Sequence, residues 1–261
     1  MTVFAKFIRS IKEHKDLIRY LTFFDLKSNV ARTYMGFLWW IIDPILYMMI
    51  YYLLVVVILG RGGPHYLVIL FTGLIPLKFT TACLVDSTSS IVGKASIIKQ
   101  IYVPKIVFIL VRLCVNSIKF LLSSIVLMLF LLVYGINFEW TYLLYPIIAV
   151  IHAIILLPLM ILFAHVGVYL RDIKNLMQYI ARVLLYVSPV LFTISDVPKR
   201  LAALFYLNPF TTVIESYRNI LLHHSQPLWL LLCGLIVISF ILLYFALKIL
   251  FKYENEYAKV I

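Results

Sequence analysis

KIVFILVRLCVNSIKFLLSSIVLMLFLLV, residues 105–133, carries only three charges, Lys105, Arg112 and Lys119. An apolar run of 18 or more residues reads as a helix crossing about 30 Å of hydrocarbon at about 1.5 Å per residue. Its polar members are ordered: Arg112, Asn116, Lys119 and Ser123 fall at steps of 4, 3 and 4, one face of one helix. Polar groups at membrane depth face protein or water. The face therefore has two readings, a path that tolerates anionic cargo, or helix–helix contact with a buried carboxylate or backbone partner. Arg112 can snorkel to the interface, whereas Lys119, about 21 Å along the helix from Lys105, cannot do so easily. Lys78, shortly after Pro76, poses the same question.

Five further apolar blocks flank this one, near 35–59, 66–90, 141–169, 176–194 and 227–249. Of the 261 residues, 64% are hydrophobic and 13% charged, and the mean hydropathy is +1.04. Soluble domains carry about 25% charged residues, so this surface is not built for water. The expectation is an all-α integral membrane protein with six transmembrane helices. A β-barrel would alternate over segments of about ten residues, and no such alternation is present. The charged first 30 or so residues argue against a cleavable signal peptide. Cys83, Cys114 and Cys233 lie apart in apolar segments and read as small buried hydrophobes.

Seventeen of the 23 Lys and Arg residues fall on one side if both termini are cytoplasmic, and only Arg61, Lys199, Arg200 and Arg218 on the other. That bias sets an N-in, C-in orientation. It also directs the net charge of +12 toward an anionic inner leaflet rather than nucleic acid.

Catalytic chemistry is not apparent. Gly93-Lys94-Ala95-Ser96 lacks the upstream glycine of a phosphate loop, since Thr88 stands there, and Ala95 replaces the magnesium-binding hydroxyl. The six histidines are scattered, and His223–His224 would point to opposite sides of a helix. No cofactor is expected in this chain.

Around the first span, Trp39 and Trp40 read as interfacial anchors, and Pro44 loosens the first turns. Asp43 reads as a cap of that broken turn, with a contact to a neighbouring helix as the alternative. Upstream, a helical wheel puts Leu17, Leu21, Phe24 and Ala31 on one side and Phe23, Leu26 and Val30 on another, with Arg19 between; Asp25, Asn29 and Arg32 fill the remaining arc. Two apolar faces suit a helix touching lipid on one side and protein on the other, or a plain surface anchor. Near the other end, Asn208-Pro209 divides an apolar outer segment into pieces near 197–206 and 210–222. Neither is long enough to span, and both are too apolar for an open loop, which asks for a re-entrant hairpin buried in protein.

Four segments taken in order, FFDLKSNVARTYMGFLWWIIDPIL (23–46), IIKQIYVPKIVFILVRL (97–113), VGVYLRDIKNLMQYIARVLLYVSPVLF (166–192) and LNPFTTVIESYRNIL (207–221), resemble the permease subunits of ABC-2 type polysaccharide exporters. The likeness runs from about Leu17 to Tyr253. The last two segments and the GRGGP loop at 60–64 look most similar to the teichoic acid export branch.

The resemblance implies a division into an N-terminal cytoplasmic interface helix (1–33), a transmembrane domain (34–249) with a re-entrant segment (195–225), and a cytoplasmic tail (250–261). It implies that Arg19, Phe23, Leu26 and Val30 of the interface helix meet an ATPase subunit. Residues 86–104 would form a coupling helix, with Ile97, Ile98 and Ile101 as anchors and Lys94 and Lys99 around them. Lys78, Arg112, Asn116 and Lys119 would line the substrate path. Asn208, Pro209, the Glu215–Arg218 pair and their surroundings would form an external gate; an exposed pair of this kind would add little stability. The implied partners are two copies of an ATP-hydrolysing subunit that holds ATP and Mg, a second copy of this chain, and a lipid-linked anionic glycopolymer such as teichoic acid. The implied location is the bacterial plasma membrane. O-antigen or capsular polysaccharide is the alternative cargo, and a stand-alone carrier is the rival class.

Overall fold

The computed structural model describes residues 3–31, 33–60, 63, 65–170 and 172–260, with the backbone alone at Lys199 and Ala258. Arg32, Arg61 and Arg171 of the charge pattern, and much of the GRGGP loop, lie outside the described residues. Twelve α-helices are described: α1 (Val3–Glu13), α2 (Lys15–Ala31), α3 (Trp39–Tyr52), α4 (Tyr66–Thr88), α5 (Ala95–Gln100), α6 (Ile106–Val133), α7 (Tyr145–Tyr169), α8 (Ile173–Val187), α9 (Lys199–Phe205), α10 (Pro209–Leu221), α11 (Trp229–Tyr253) and α12 (Tyr257–Val260).

Five helical segments are long and apolar enough to cross a membrane: Gly36–Ile58, Tyr66–Thr88, Ile106–Val133, Trp140–Tyr169 and Trp229–Tyr253. The first begins as a 3₁₀ turn, continues as α3, and widens into a π-helical turn at Leu53–Ile58 before Gly60, whose φ of 61° reverses the chain. The block expected at 176–194 forms α8, whose 15 residues reach about 22 Å, short of a full bilayer core.

The most enclosed span is α4, with 72% of its apolar window buried, against 11% for the span containing α3. Around α4 stand α3, α6, α7, α8 and α10, and α11 packs on α7. In lipid the hydrophobic effect gives neighbouring helices no drive to associate, so close fit and polar ties must hold them. Both are visible. A Cβ on Gly167 of α7 would sit 1.9 Å from the Thr88 carbonyl oxygen, so only glycine permits this α7–α4 approach. Phe79 of α4 stacks on Phe120 of α6 at 4.7 Å, and Phe120 continues to Tyr145 of α7.

At one end of the bundle Arg218 is buried and acts as a knot. Its guanidinium donates to the carbonyls of Ile69, Val190 and Phe192 and to Glu215 Oε1 at 2.9–3.2 Å. It thereby satisfies backbone groups of the irregular segment after α8. The Glu215–Arg218 pair is thus internal, and the low value of an exposed pair does not apply. At the opposite end, Glu254 after α11 is 3% exposed. It accepts from Lys6 Nζ of α1 (3.2 Å) and from the Lys105 backbone N–H at the head of α6 (3.0 Å), joining both chain ends to the start of a span.

Candidate functional site

The ordered polar face of α6 is the centre of the site, and each member meets a different element. Arg112 lies 3.4 Å from Asp25 Oδ2 of α2. Asn116 Nδ2 donates to Asp86 Oδ2 of α4 at 3.1 Å. Lys119 Nζ sits 5.7 Å from the Trp40 ring centroid. Ser123 Oγ donates to the Trp40 carbonyl at 3.3 Å. That carbonyl is the one Pro44 frees, because a proline four residues on has no N–H to return. A helix broken at membrane depth needs such a partner from a neighbour.

Asp43 is not a cap: α3 has no side-chain cap bond, and the carboxylate pairs with Lys78 Nζ of α4. The two readings of the α6 face are thus divided by residue. Arg112, Asn116 and Ser123 make the carboxylate and backbone contacts of the helix-packing reading. Lys119 makes no such bond and faces a cavity of about 220 Å³ between α3, α4 and α6, walled also by Trp40, Asp43, Lys78, Asp86 and Asn116. Trp40 thus lines this cavity and is half-buried, while Trp39 is exposed. A second cavity, about 500 Å³, lies between α3, α4 and α8 and shares Pro44, Lys78, Ala82 and Asp86 with the first. It adds Tyr47 and Tyr51 from α3, Thr81, and Gln178 and Arg182 from α8. Phenolic rings, an amide, a hydroxyl and two cations around one space can stack on sugar faces, bind hydroxyls and neutralise acidic groups.

The sequence reading missed Tyr47, Tyr51, Gln178 and Arg182. The available signal was Lys174, Gln178 and Arg182 at four-residue steps on a helix otherwise apolar but for Asn175.

At the end that carries both termini, the expected coupling residues separate. Ile98 is 6% exposed and fixes α5 to the chain's own core, whereas Ile101 is 56% and Tyr102 69% exposed. Ile97 is half-buried, Lys99 exposed, and Lys94 is drawn in to Asp25 Oδ1 at 2.7 Å. On α2 the two-face wheel resolves into one buried stripe running through Leu21, Thr22 and Asp25, with Phe23 and Phe24 exposed and Leu26 and Val30 half-buried; Arg19 is exposed. Asp25, assigned by the wheel to the polar arc, is 7% exposed.

At the opposite end the chain divides at Asn208-Pro209 as anticipated, between α9 and α10. Asn208 caps α10 by accepting from Phe210 N at 3.1 Å and donates to Ser188 Oγ at 2.9 Å, and Pro209 opens α10. His223 and His224 lie beyond α10 rather than on a helix; His224 has φ 48°, with Nδ1 3.6 Å from Glu139 Oε2. Cys83 is buried, but Cys233 is exposed. Among the described residues no group of three or more His, Cys, Asp or Glu could hold a metal ion.

Long apolar helices with charged side chains gathered between them define a multi-pass membrane protein. No protein-family model matches the chain. It is 27% identical over 248 residues to the O-antigen export system permease protein RfbA of Klebsiella pneumoniae, covering 94% of this chain and 95% of that relative. A protein of the same name from Myxococcus xanthus is 25% identical over 258 residues, 98% of this chain and 99% of the relative. The polysialic acid transport protein KpsM of Escherichia coli is 23% identical over 198 residues, 75% of this chain and 77% of the relative. These homologues are of the polysaccharide-exporter kind that the sequence segments resemble. Their names carry O-antigen and polysialic acid, not teichoic acid.

Proposed function

We propose that this chain is the membrane permease subunit of an ATP-driven exporter that moves a lipid-linked O-antigen or capsule-type polysaccharide across the plasma membrane. It works as a homodimer with two copies of a separate ATPase subunit, both termini on the ATPase side. The observation that carries the reading is likeness over 94% of the chain to a permease named for O-antigen export. The relatives favour this cargo over teichoic acid.

The two neighbouring cavities, which share a wall, support a path for a hydroxyl-rich, acidic chain. Lys78 stands in the wall common to both, Asn116 and Lys119 line the smaller, and Tyr47, Tyr51 and Arg182 line the larger. Arg112 contributes from outside the cavities through Asp25. Asn208, Pro209, Glu215 and Arg218 hold the opposite, outer end. Arg19, Phe23, Ile101, Tyr102 and Lys99 are the exposed members of the ATPase-facing surface.

The test is ATP hydrolysis in proteoliposomes holding this chain and its cognate ATPase subunit. Stimulation by diphospholipid-linked O-antigen or capsular glycan, but not by a teichoic acid precursor, is the expected result. Stimulation by the teichoic acid precursor alone would reverse the cargo, and failure to bind any ATPase would remove the reading. Lys119→Met and Arg182→Gln should each lower export about tenfold, the scale of one lost charge-assisted contact. Export at the wild-type rate in both variants would assign these cations to packing.

A further inference from the structure

The cluster around Asp25 lies outside both cavities, and it joins three elements that are far apart in sequence. Its carboxylate is 7% exposed. Lys94 Nζ, at the head of α5, donates to Oδ1 at 2.7 Å, and Arg112 of α6 lies 3.4 Å from Oδ2 without the alignment of a hydrogen bond. The two cations are themselves mostly covered, with side chains 16% and 24% exposed. A carboxylate this deep in protein is costly unless paired, and removing one partner of such a set is far more damaging than never having built it. The three segments therefore hold their relative positions or lose all of these contacts together. The same stripe of α2 that buries Leu21 and Thr22 delivers Asp25, while the other side of α2 leaves Phe23 and Phe24 exposed.

Along the chain, the α5 region is joined to the spans only through the Ser89–Ser90 turn after α4 and the extended Ile101–Pro104 stretch before α6. The first is a hydrogen-bonded turn, and in the second Ile101 and Tyr102 are exposed while Val103 and Pro104 are buried. Asp25 supplies a direct link, from Lys94 to Arg112, two turns into α6 and one turn below the Asn116–Asp86 bond that borders the cavity.

We propose that Asp25 is a positioning residue for transport: a charge clamp that makes α2 and the α5 segment move as one body and passes that movement into α6 at Arg112. The proposal rests on the reading of this end as the ATPase-facing one. Force on α5 then reaches the polar face of α6 through side chains as well as along the chain at Ile101–Pro104. Arg112 thus serves to transmit rather than to touch cargo.

Two measurements test the clamp and separate its failure from that of the transport reading. The first is hydrogen–deuterium exchange on the purified chain in lipid nanodiscs, with no ATPase present. Asp25→Asn should speed exchange of the amides at 92–100 about tenfold, the scale of one lost charge-assisted bond. Asp25→Glu, which keeps the charge beside both cations, should bring those amides back toward the wild-type rate. Unchanged exchange in Asp25→Asn, or Asp25→Glu no better than Asp25→Asn, overturns the clamp whatever the protein transports. The second is the ratio of polymer exported to ATP hydrolysed in proteoliposomes with the cognate ATPase. Asp25→Asn should lower export at least fivefold while hydrolysis persists, and Asp25→Glu should recover most of the loss. Export and hydrolysis falling in equal proportion would mean a merely structural residue and overturn the coupling role.

Discussion

Single atoms decide how closely the spans of this protein can approach. Gly167 has no space for a methyl group, because the obstacle is the Thr88 backbone carbonyl and not a side chain that could swing aside. Gly167→Ala must part α7 from α4, at a cost of about 3 kcal/mol or more, the upper range for overpacking. Gly93, with open space around its virtual Cβ, is the control. Thermal unfolding in detergent should show a large fall in Tm for Gly167→Ala and almost none for Gly93→Ala; equal values would mean that the helices separate freely. Asp196 makes a second residue-level prediction. The Thr193 hydroxyl, and after it the Thr193 backbone N–H, donate to its carboxylate at 2.7 and 2.8 Å and hold its pKa below the ordinary aspartate value. The folded state therefore binds this proton less readily than the unfolded chain. The stabilisation is complete above roughly pH 4, near the unfolded aspartate pKa, and is lost as pH falls through the lower folded value. A Tm-against-pH series should show a shallower acid limb for Asp196→Asn than for the parent protein. Identical limbs would show that this cap does not contribute to acid sensitivity.

Among the elements, those fixed by long apolar runs were legible from the sequence, and those fixed by a few polar contacts were legible only in part. The spans at 66–88 and 106–133 and the break at Asn208-Pro209 follow from hydropathy length and from proline chemistry. The four-residue pattern on α6 correctly marked a face that meets partners, because a buried polar group in lipid must have one. Which partners it meets was not legible: Asp25 lies 87 positions before Arg112 in the chain, and no local period connects them. On α2 the wheel misled because Asp25, a charged residue, continues the buried stripe one turn past Leu21 and Thr22, and polarity alone put it outside. Similarly, Ile97, Ile98 and Ile101 look equivalent as letters, yet α5 is only six residues long and turns Ile98 into the core. This changes the choice of variant for probing that end. Ile98→Asp should destabilise the whole chain, by about 3 kcal/mol or more for an unpaired charge placed in a packed site, and lower its membrane yield. Ile101→Ser and Tyr102→Ser, at exposed positions, should leave yield and Tm within error yet weaken ATPase binding in a pull-down. Normal yield of Ile98→Asp would show that α5 is held less tightly than its burial indicates.

For the molecule as a whole, the parity of crossings follows from which ends of which helices meet. Lys6 near the N-terminus pairs with Glu254 near the C-terminus, so both lie at one end of the bundle. Five spans of alternating direction would leave the termini at opposite ends, so one more passage is needed. The six-passage reading assigns it to α8 with the residues after it. Gln178 shares a cavity wall with Asp86, toward the Thr88 end of α4, whereas Leu191 accepts a hydrogen bond from Tyr66 at the other end of α4. The chain between Gln178 and Leu191 thus climbs most of the length of α4, although α8 itself is short. It can be short because the unwound residues after Val187 are not left to lipid: Arg218 satisfies the carbonyls of Val190 and Phe192. The lysine and arginine bias predicts that the end carrying the termini faces the cytoplasm. Single cysteines at the exposed positions Asn175 and Ser195, in a background with Cys83, Cys114 and Cys233 replaced by alanine, should report this passage. A membrane-impermeant maleimide added to intact cells should label Ser195→Cys and spare Asn175→Cys, and inverted vesicles should give the opposite result. Labelling of both from the same side would mean that α8 does not cross and would overturn the six-passage reading.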